Sequence, residues 1–538
     1  MKPRLFSWRV GRNRPIGLYT AEPWLARWAA AGYVLLALFF AAYGHFYAQA
    51  LVDGQSVVPF LVPFGVGAAL VLWTMPEIEN PPVNVLNRLY VYFIFALLAW
   101  PDYLALTLPG MPWITAVRLV GVPLIVTLLI CSFGSTAFRR RLKEILAAEN
   151  VLVRLLIGFM VIATLTVVFS HAIGPSMNRL FVAYMAWFGV FFASCWHFQE
   201  PGRAEKFAKY LFYILLICLV PALFEAKYSV LPWVGHIPSF LDVEDPNAQR
   251  IMQGSFRAAT GIYRVQSKFS SSIGLGEFIA MSMPFALHLL WVSRSKLLRA
   301  TIILVQPVLF YIVIRTDSRL AFIGYFSSII IYLFVFAVMR WRQLKTSILA
   351  PAIVLSYPIA LSVLLVLSLT WRRLYVKIWG GGAQQFSSQS RADQMKEGLP
   401  KVFHAPWGHG IGEGATTLNY IAPGSDFPTI DSYYLSVALE FGVLGFAVFY
   451  GMFLWAAFKA SRTAIETRNT DLLFLLPAAI ALLNFLISKS IYSQTENQPL
   501  AFMLLGLIVA LIYRHKLERT GAGAFDASGQ KRLQLPSF

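Results

Sequence analysis

The side chains with the clearest chemical potential lie in three polar stretches of an otherwise apolar chain. Arg264 and Lys268 sit in "IYRVQSKFSSSIGLGEF" (262–278), and Arg315 and Arg319 in "IRTDSRLAF" (314–322). Arg391, His404 and Asp431 are spread over "SRADQMKEGLPKVFHAPWGHGIGEG" (390–414) and "PTIDSYYLSVALEFGVLGF" (428–446). Gathered cations attract anions, and the planar fork of arginine suits two phosphate oxygens at once. An aspartate or histidine beside them adds a group that takes a proton from a hydroxyl. The combination fits chemistry on a diphosphate. Each residue also has a plainer reading: arginines at span ends anchor at the membrane surface, and an aspartate at a helix start caps it. On charge alone, an anionic ligand and lipid head groups account for the cations equally well.

Local patterns sharpen some of these expectations. Ser390 followed by Asp393 has the spacing of a capping box, which makes Arg391 the first residue of a short helix that Pro400 ends. The free N–H groups of such an end, next to Arg391, would make a diphosphate clamp; the sequence alone favours the plain alternative, an exposed arginine paired with Asp393 or solvent. "GHGIGEG" places glycines at 408, 410, 412 and 414. It is neither a P-loop, since no Lys-Ser/Thr follows, nor a dinucleotide fingerprint, since no strand-turn-helix unit surrounds it. It is expected to let a loop close over a ligand. Glu277 and Glu440 fall within apolar segments, where an acid ordinarily has a partner or a task.

These stretches must be carried by membrane helices. Of 538 residues, 58% are hydrophobic and only 13% charged, too little polar surface for a soluble protein of this length. Windows approaching the roughly 20 apolar residues that cross a bilayer recur throughout. The expected fold is an all-α, polytopic integral membrane protein of about fourteen spans, centred near residues 38, 66, 92, 123, 160, 187, 216, 282, 307, 329, 357, 444, 481 and 506. With both termini inside, the cytoplasmic segments hold 29 of the 45 Lys and Arg, as the positive-inside rule requires. The basic start of the chain reads as a retained anchor. Expected units are a basic cytoplasmic tail (1–27), membrane helices (28–225), an external loop (226–271), central membrane helices (272–369), a large external catalytic loop (370–430), C-terminal membrane helices (431–513) and a cytoplasmic tail (514–538) whose last stretch, "TGAGAFDASGQKRLQLPSF", is expected to be disordered. Thirteen of the fifteen external basic residues fall in the two loops and the turn "RTDSR". Cys131, Cys195 and Cys218 lie in apolar segments without CxxC spacing and read as packing residues.

In order and spacing, "DSRLAF", "SRADQ", "HAPWGHGIG" and "IDSYYLSVALEFGVLG" resemble the O-antigen polymerase and ligase family of bacterial envelope glycan assembly. The resemblance covers about residues 262 to 450. It implies a GT-C-like integral membrane glycosyltransferase of the inner membrane, with a large periplasmic loop, a polyprenyl-diphosphate-linked glycan as donor and a second such glycan as acceptor. Neither a metal nor a cofactor is expected, and nucleic acid is not a partner; membrane lipid is, and a chain-length regulator or another glycan-assembly protein is a further candidate. The family's membrane-face arginine matches Arg319 and its loop arginine matches Arg391. Arg264 is a third candidate for the diphosphate. In ligases the last conserved segment typically opens on a histidine; here Asp431 stands there, which favours polymerisation of lipid-linked repeat units over ligation to lipid A-core. Asp431 is thus the candidate base and His404 the second choice. A glycan flippase or other transporter is the rival of a different class.

Overall fold

The computed structural model describes residues 62–107, 113–243, 245–257, 261–343, 348–372, 385–421, 427–467 and 469–520, with isolated residues of 34–48, Tyr375, and two short strands near the C-terminus. The basic tail (1–27) and most of the span expected near residue 38 lie outside the described residues.

Among the described residues, eleven helices are long and apolar enough to cross a membrane, from Ala116–Gly134 to Gln498–Arg519. Each is centred on an expected span. Val83–Ala99 and Val62–Trp73 account for two more expectations but have only 17 and 12 residues. The chain is an all-α polytopic membrane protein.

The helices form a centre and a rim. Ile173–His197, Ser272–Val292, Leu472–Lys489 and Gln498–Arg519 are buried over most of their length, whereas Leu349–Thr370 is almost wholly exposed. Lipid tails are as apolar as leucine, so close approach and polar contacts, not hydrophobicity alone, hold such helices together. Gly276 lies against Ala321 and Gly324 against Ala280, which lets Ser272–Val292 cross Arg319–Gln343 closely. At the same crossing Asn484 Nδ2 donates to Ala280 O (2.9 Å) and Ser328 Oγ (2.7 Å), tying three helices. The three cysteines are buried and free, as packing residues should be.

The loops expected to share one side of the membrane meet at one end of this bundle. Lys268 Nζ donates to Leu97 O (2.8 Å), Arg315 Nη2 to Ala226 O (2.9 Å) and Ser493 Oγ to Ile430 O (2.6 Å). At the opposite end Lys516 Nζ donates to Ala148 O (2.5 Å) and Arg514 pairs with Asp471 (2.6 Å). The last helix runs on to Arg519, and the segment beyond it, expected to be disordered, carries two paired three-residue strands among its described residues, Gly523–Phe525 and Lys531–Leu533.

One helix departs from its expectation in a way that shapes the site. Tyr433–Glu466 has 34 residues, with Gly442 at φ 70°, ψ −175° inside it. The rings of Tyr434 and Tyr450 are 4.5 Å apart between centroids. In a straight helix sixteen residues would separate them by about 24 Å. Two arms therefore bend sharply at Gly442, and the 24 residues from Val443 to Glu466 are enough to cross a bilayer by themselves. The segment expected to begin at 431 therefore opens on a short arm, Tyr433–Phe441, that folds back beside the start of the second. Hydropathy missed this because both arms are apolar.

Candidate functional site

The first arm of the bent helix, Tyr433–Phe441, holds Asp431 at its start. Alongside it runs the helix Gln385–His404, which we call the arginine helix. Contacts recur at a constant offset of 37 residues. Asp431 N–H donates to Gln394 Oε1 (2.9 Å), Gly398 lies so close to Leu435 that a Cβ there would meet its methyl at 2.8 Å, and Val402 shares a buried cluster with Leu439. The two helices are therefore parallel, with a four-residue step on each.

This register brings Arg391 to Asp431. Arg391 Nε is 3.9 Å from Asp431 Oδ2, with the side chains 29% and 39% exposed. At that distance the contact is an ion pair rather than a hydrogen bond, and Arg391 Nε is buried with no hydrogen-bond partner. Burial pushes the Asp431 carboxyl above the usual carboxylate range, and the Arg391 guanidinium offsets only part of that effect. Ser432, not Asp431, occupies the N-cap position of the bent helix, and no side-chain cap bond forms there. The cap explanation for Asp431 therefore fails.

Further arginines close in from the other loops. Arg264, on the two-residue strand Tyr263–Arg264, donates from Nε to Thr316 O (3.1 Å), while Val265 N–H donates to Arg315 O (3.1 Å). Arg257 grips the turn "RTDSR" twice: Nε binds the Asp317 carboxylate and Nη2 its carbonyl (2.6 Å). Asp317 has φ 45°, in the left-handed region that a non-glycine residue adopts at a cost. Two residues later Arg319 opens its helix, within electrostatic reach of both Arg391 and Arg257. Burial, and then the charge of Arg257, bring the Arg264 guanidinium down to about 10, against the pull of Asp317. Arg257, Arg264, Arg319 and Arg391 thus share two nearby carboxylates, Asp317 and Asp431, an arrangement short of negative charge. Arg315 turns away to Ala226.

Several expectations need correcting. Arg391 is not the first residue of its helix, which starts at Gln385, six residues earlier; no free N–H groups flank it, so any anion it holds is held by side chains. Pro400 does not end the helix, which continues to His404. His404 lies thirteen residues beyond Arg391, about 20 Å along the axis, and so is not assembled with Asp431.

The glycine-rich turn is docked rather than free to close. His409 N–H donates to Leu439 O (2.9 Å) and Gly410 N–H to Glu440 O (3.0 Å), while Val443 N–H donates to Pro406 O (3.0 Å). These are the backbone groups that the bend at Gly442 would otherwise leave unpaired. Glu440 belongs to the same joint: its carboxylate accepts from Ser436 Oγ (2.8 Å) and from the amides of Gly412 and Gly414. Glu277 is paired within the bundle, by an ion pair with Lys489 (3.1 Å) and a hydrogen bond from Asn497 Nδ2 (3.0 Å).

The residues that sequence reasoning missed are Arg257, Gln394 and Asp317. Their only sequence signal was membership of the two external loops and the turn "RTDSR". Among the described residues, no three His, Cys, Asp or Glu side chains gather in a way that would hold a metal. The assembled site can bind a polyanion through forked donors and offers it one carboxylate with an open acceptor side.

Residues 302–450 match the family model described as O-antigen ligase. No curated protein matches the chain. The matched segment contains Arg319, Arg391, the glycine-rich turn, Asp431 and the bend at Gly442, whereas Arg257 and Arg264 reach the site from outside it. Over that segment, and not over the rest of the chain, the protein is similar to the O-antigen ligase family.

Proposed function

We propose that the protein is a glycosyltransferase that polymerises polyprenyl-diphosphate-linked oligosaccharide repeat units on the periplasmic face of a bacterial inner membrane. The observation that carries this reading is the half-exposed Asp431 carboxylate, 3.9 Å from an Arg391 nitrogen that has no hydrogen-bond partner, within a cluster of arginines.

In this reading the diphosphate of the donor lies between Arg319, Arg391 and Arg264. A hydroxyl oxygen of the acceptor sugar forms a bond to the donor's anomeric carbon while the bond from that carbon to the diphosphate oxygen breaks. The electron pair leaves with the polyprenyl diphosphate, and the hydroxyl proton passes to the Asp431 carboxylate. A diphosphate leaves without being protonated, so the need is for cations already in place where its negative charge grows. Arginines held by Thr316 O and Asp317, as Arg264 and Arg257 are, meet that need without reorganising.

Ligation of the glycan to lipid A-core is the second reading, and Asp431 at the position where ligases typically carry histidine counts against it. A flippase needs charge along a path through the bundle; the interior pair Glu277–Lys489 is closed, with the ammonium also enclosed by the rings of Tyr433, Phe485 and Tyr492 at 5.0 to 5.3 Å. Deleting the gene and profiling the surface glycan separates the readings. Polymerase predicts loss of ladder length with one unit retained, and ligase predicts loss of all capped core. Reporter fusions test the orientation: residues 143, 343 and 465 should be cytoplasmic and 240 and 400 external, and a cytoplasmic residue 400 would put the donor on the wrong face.

A further inference from the structure

A second concave site lies at the other end of the arginine helix. A cavity of about 690 Å³ is lined chiefly by His171, Lys401, His404, His409, Glu413 and Thr416, within the size range of small-ligand sites. Its frame is fixed on three sides. Lys401 Nζ donates to Thr417 O (3.1 Å) and Leu418 O (2.7 Å), Thr416 Oγ1 donates to Glu413 Oε2 (2.6 Å), and the glycine-rich turn is docked on the bent helix. The His409 ring lies stacked towards His171 at 6.5 Å, and its Nδ1–H donates to Leu439 O (3.0 Å), which leaves Nε2 of the neutral ring as an acceptor.

The chemistry of this cavity differs from that of the arginine cluster. Its lining holds one ammonium and one carboxylate, and the rest are imidazoles and hydroxyls, so donors and acceptors are mixed without a dominant charge. Two residues before His409 in the chain, Trp407 is 55% exposed, its ring 6.2 Å from that of Phe169. Balanced donors and acceptors beside open aromatic faces suit a sugar, which has hydroxyls around its edge and C–H groups on its faces. The arginine helix joins the two sites rigidly, about 20 Å apart, a span of several sugar residues.

We propose that this cavity is a glycan subsite that holds sugars of the chain remote from the reacting carbon, and that His404 serves there rather than as a base. The proposal rests on the glycan-transfer reading above. A subsite at that distance engages a multi-repeat glycan and leaves a single repeat unheld, so it favours continued extension of chains already begun.

The test uses the full-length protein in detergent and lipid-free oligosaccharides of one, two and three repeats, released by mild acid from the host's own surface polysaccharide. Calorimetry should show the three-repeat fragment binding more tightly than the one-repeat fragment. Trp407→Ala and His404→Ala, both at exposed positions where truncation costs little stability, should each weaken three-repeat binding by about ten-fold with the thermal midpoint unchanged. If the wild-type protein binds no fragment, or the variants bind as it does, the subsite is overturned and Trp407 with Phe169 is an interfacial anchor. A parallel reaction with the lipid-linked single repeat tests the functional reading separately. Fragment binding without polymer formation would reject the polymerase while sparing the subsite.

Discussion

Asp431 and Glu440 lie nine residues apart in one stretch of sequence, and the structure gives them opposite surroundings. Glu440 is buried, and its carboxylate accepts from Ser436 and from two amides of the glycine-rich turn. Everything around it closes the bend at Gly442. Asp431 is 39% exposed, faces an arginine nitrogen with no hydrogen-bond partner, and caps nothing. Buried polar groups in folded proteins are almost always satisfied, so a saturated acid such as Glu440 reads as structural. An acid left open beside under-neutralised cations is where a ligand completes the bonding. Glu277, fully enclosed with Lys489, falls on the Glu440 side of this division.

The sharpest way to break the comparison is Asp431→Asn. We expect kcat/KM with a lipid-diphosphate donor to fall by about 100-fold or more, as far as in Asp431→Ala, with the thermal midpoint unchanged because Ser432 holds the cap position. A fully active Asn variant would remove Asp431 from the chemistry. Because burial raises its proton affinity, the acid limb of the wild-type pH profile should lie above the usual carboxylate range. Activity should fall as pH drops through that limb, since a base must be ionised, and the limb should vanish from the residual activity of Asp431→Asn.

Arg391→Lys comes next. It keeps the charge but loses the fork, and the loss of one charge-assisted bond, about 1.5–3 kcal/mol, corresponds to roughly a 10- to 100-fold drop in kcat/KM. The fold should be unaffected, since Arg391 makes no hydrogen bond through Nε. Wild-type activity in both Arg391→Ala and Arg319→Ala would return these arginines to the role of membrane anchors.

On the structural side the expected signature reverses. Gly442→Ala puts a Cβ into the Pro406 carbonyl at a φ of 70°, and thermal denaturation should show a loss of about 1–3 kcal/mol, with turnover per folded molecule little changed. Glu440→Gln should be the mildest. Replacing one charged acceptor leaves the hydroxyl contact in place, so we expect about 1 kcal/mol of destabilisation and activity that follows the folded fraction. If Glu440→Gln instead lost activity at full stability, the division between the two acids would be wrong.

Much of the molecule follows from the amino-acid sequence alone. Bilayer thickness imposes a length on every span, so apolar runs at Ala116–Gly134 or Gln498–Arg519 show up in any hydropathy reading. Residue type nominates many cations and acids, and the resemblance of "DSRLAF", "SRADQ" and "IDSYYLSVALEFGVLG" to a known family narrows them to Arg319, Arg391 and Asp431. What tertiary structure decided depends on contacts between residues distant in the chain. The bend at Gly442 exists because the turn at 406–410 supplies the missing hydrogen bonds, and neither segment reveals the other. Arg257 enters the site only through Asp317, sixty residues away, and Asp431 is set by Gln394, thirty-seven residues before it. His404 left the site for the same reason. The arginine helix continues past Pro400 instead of ending there, and length along a rigid rod separated two residues that composition had grouped together.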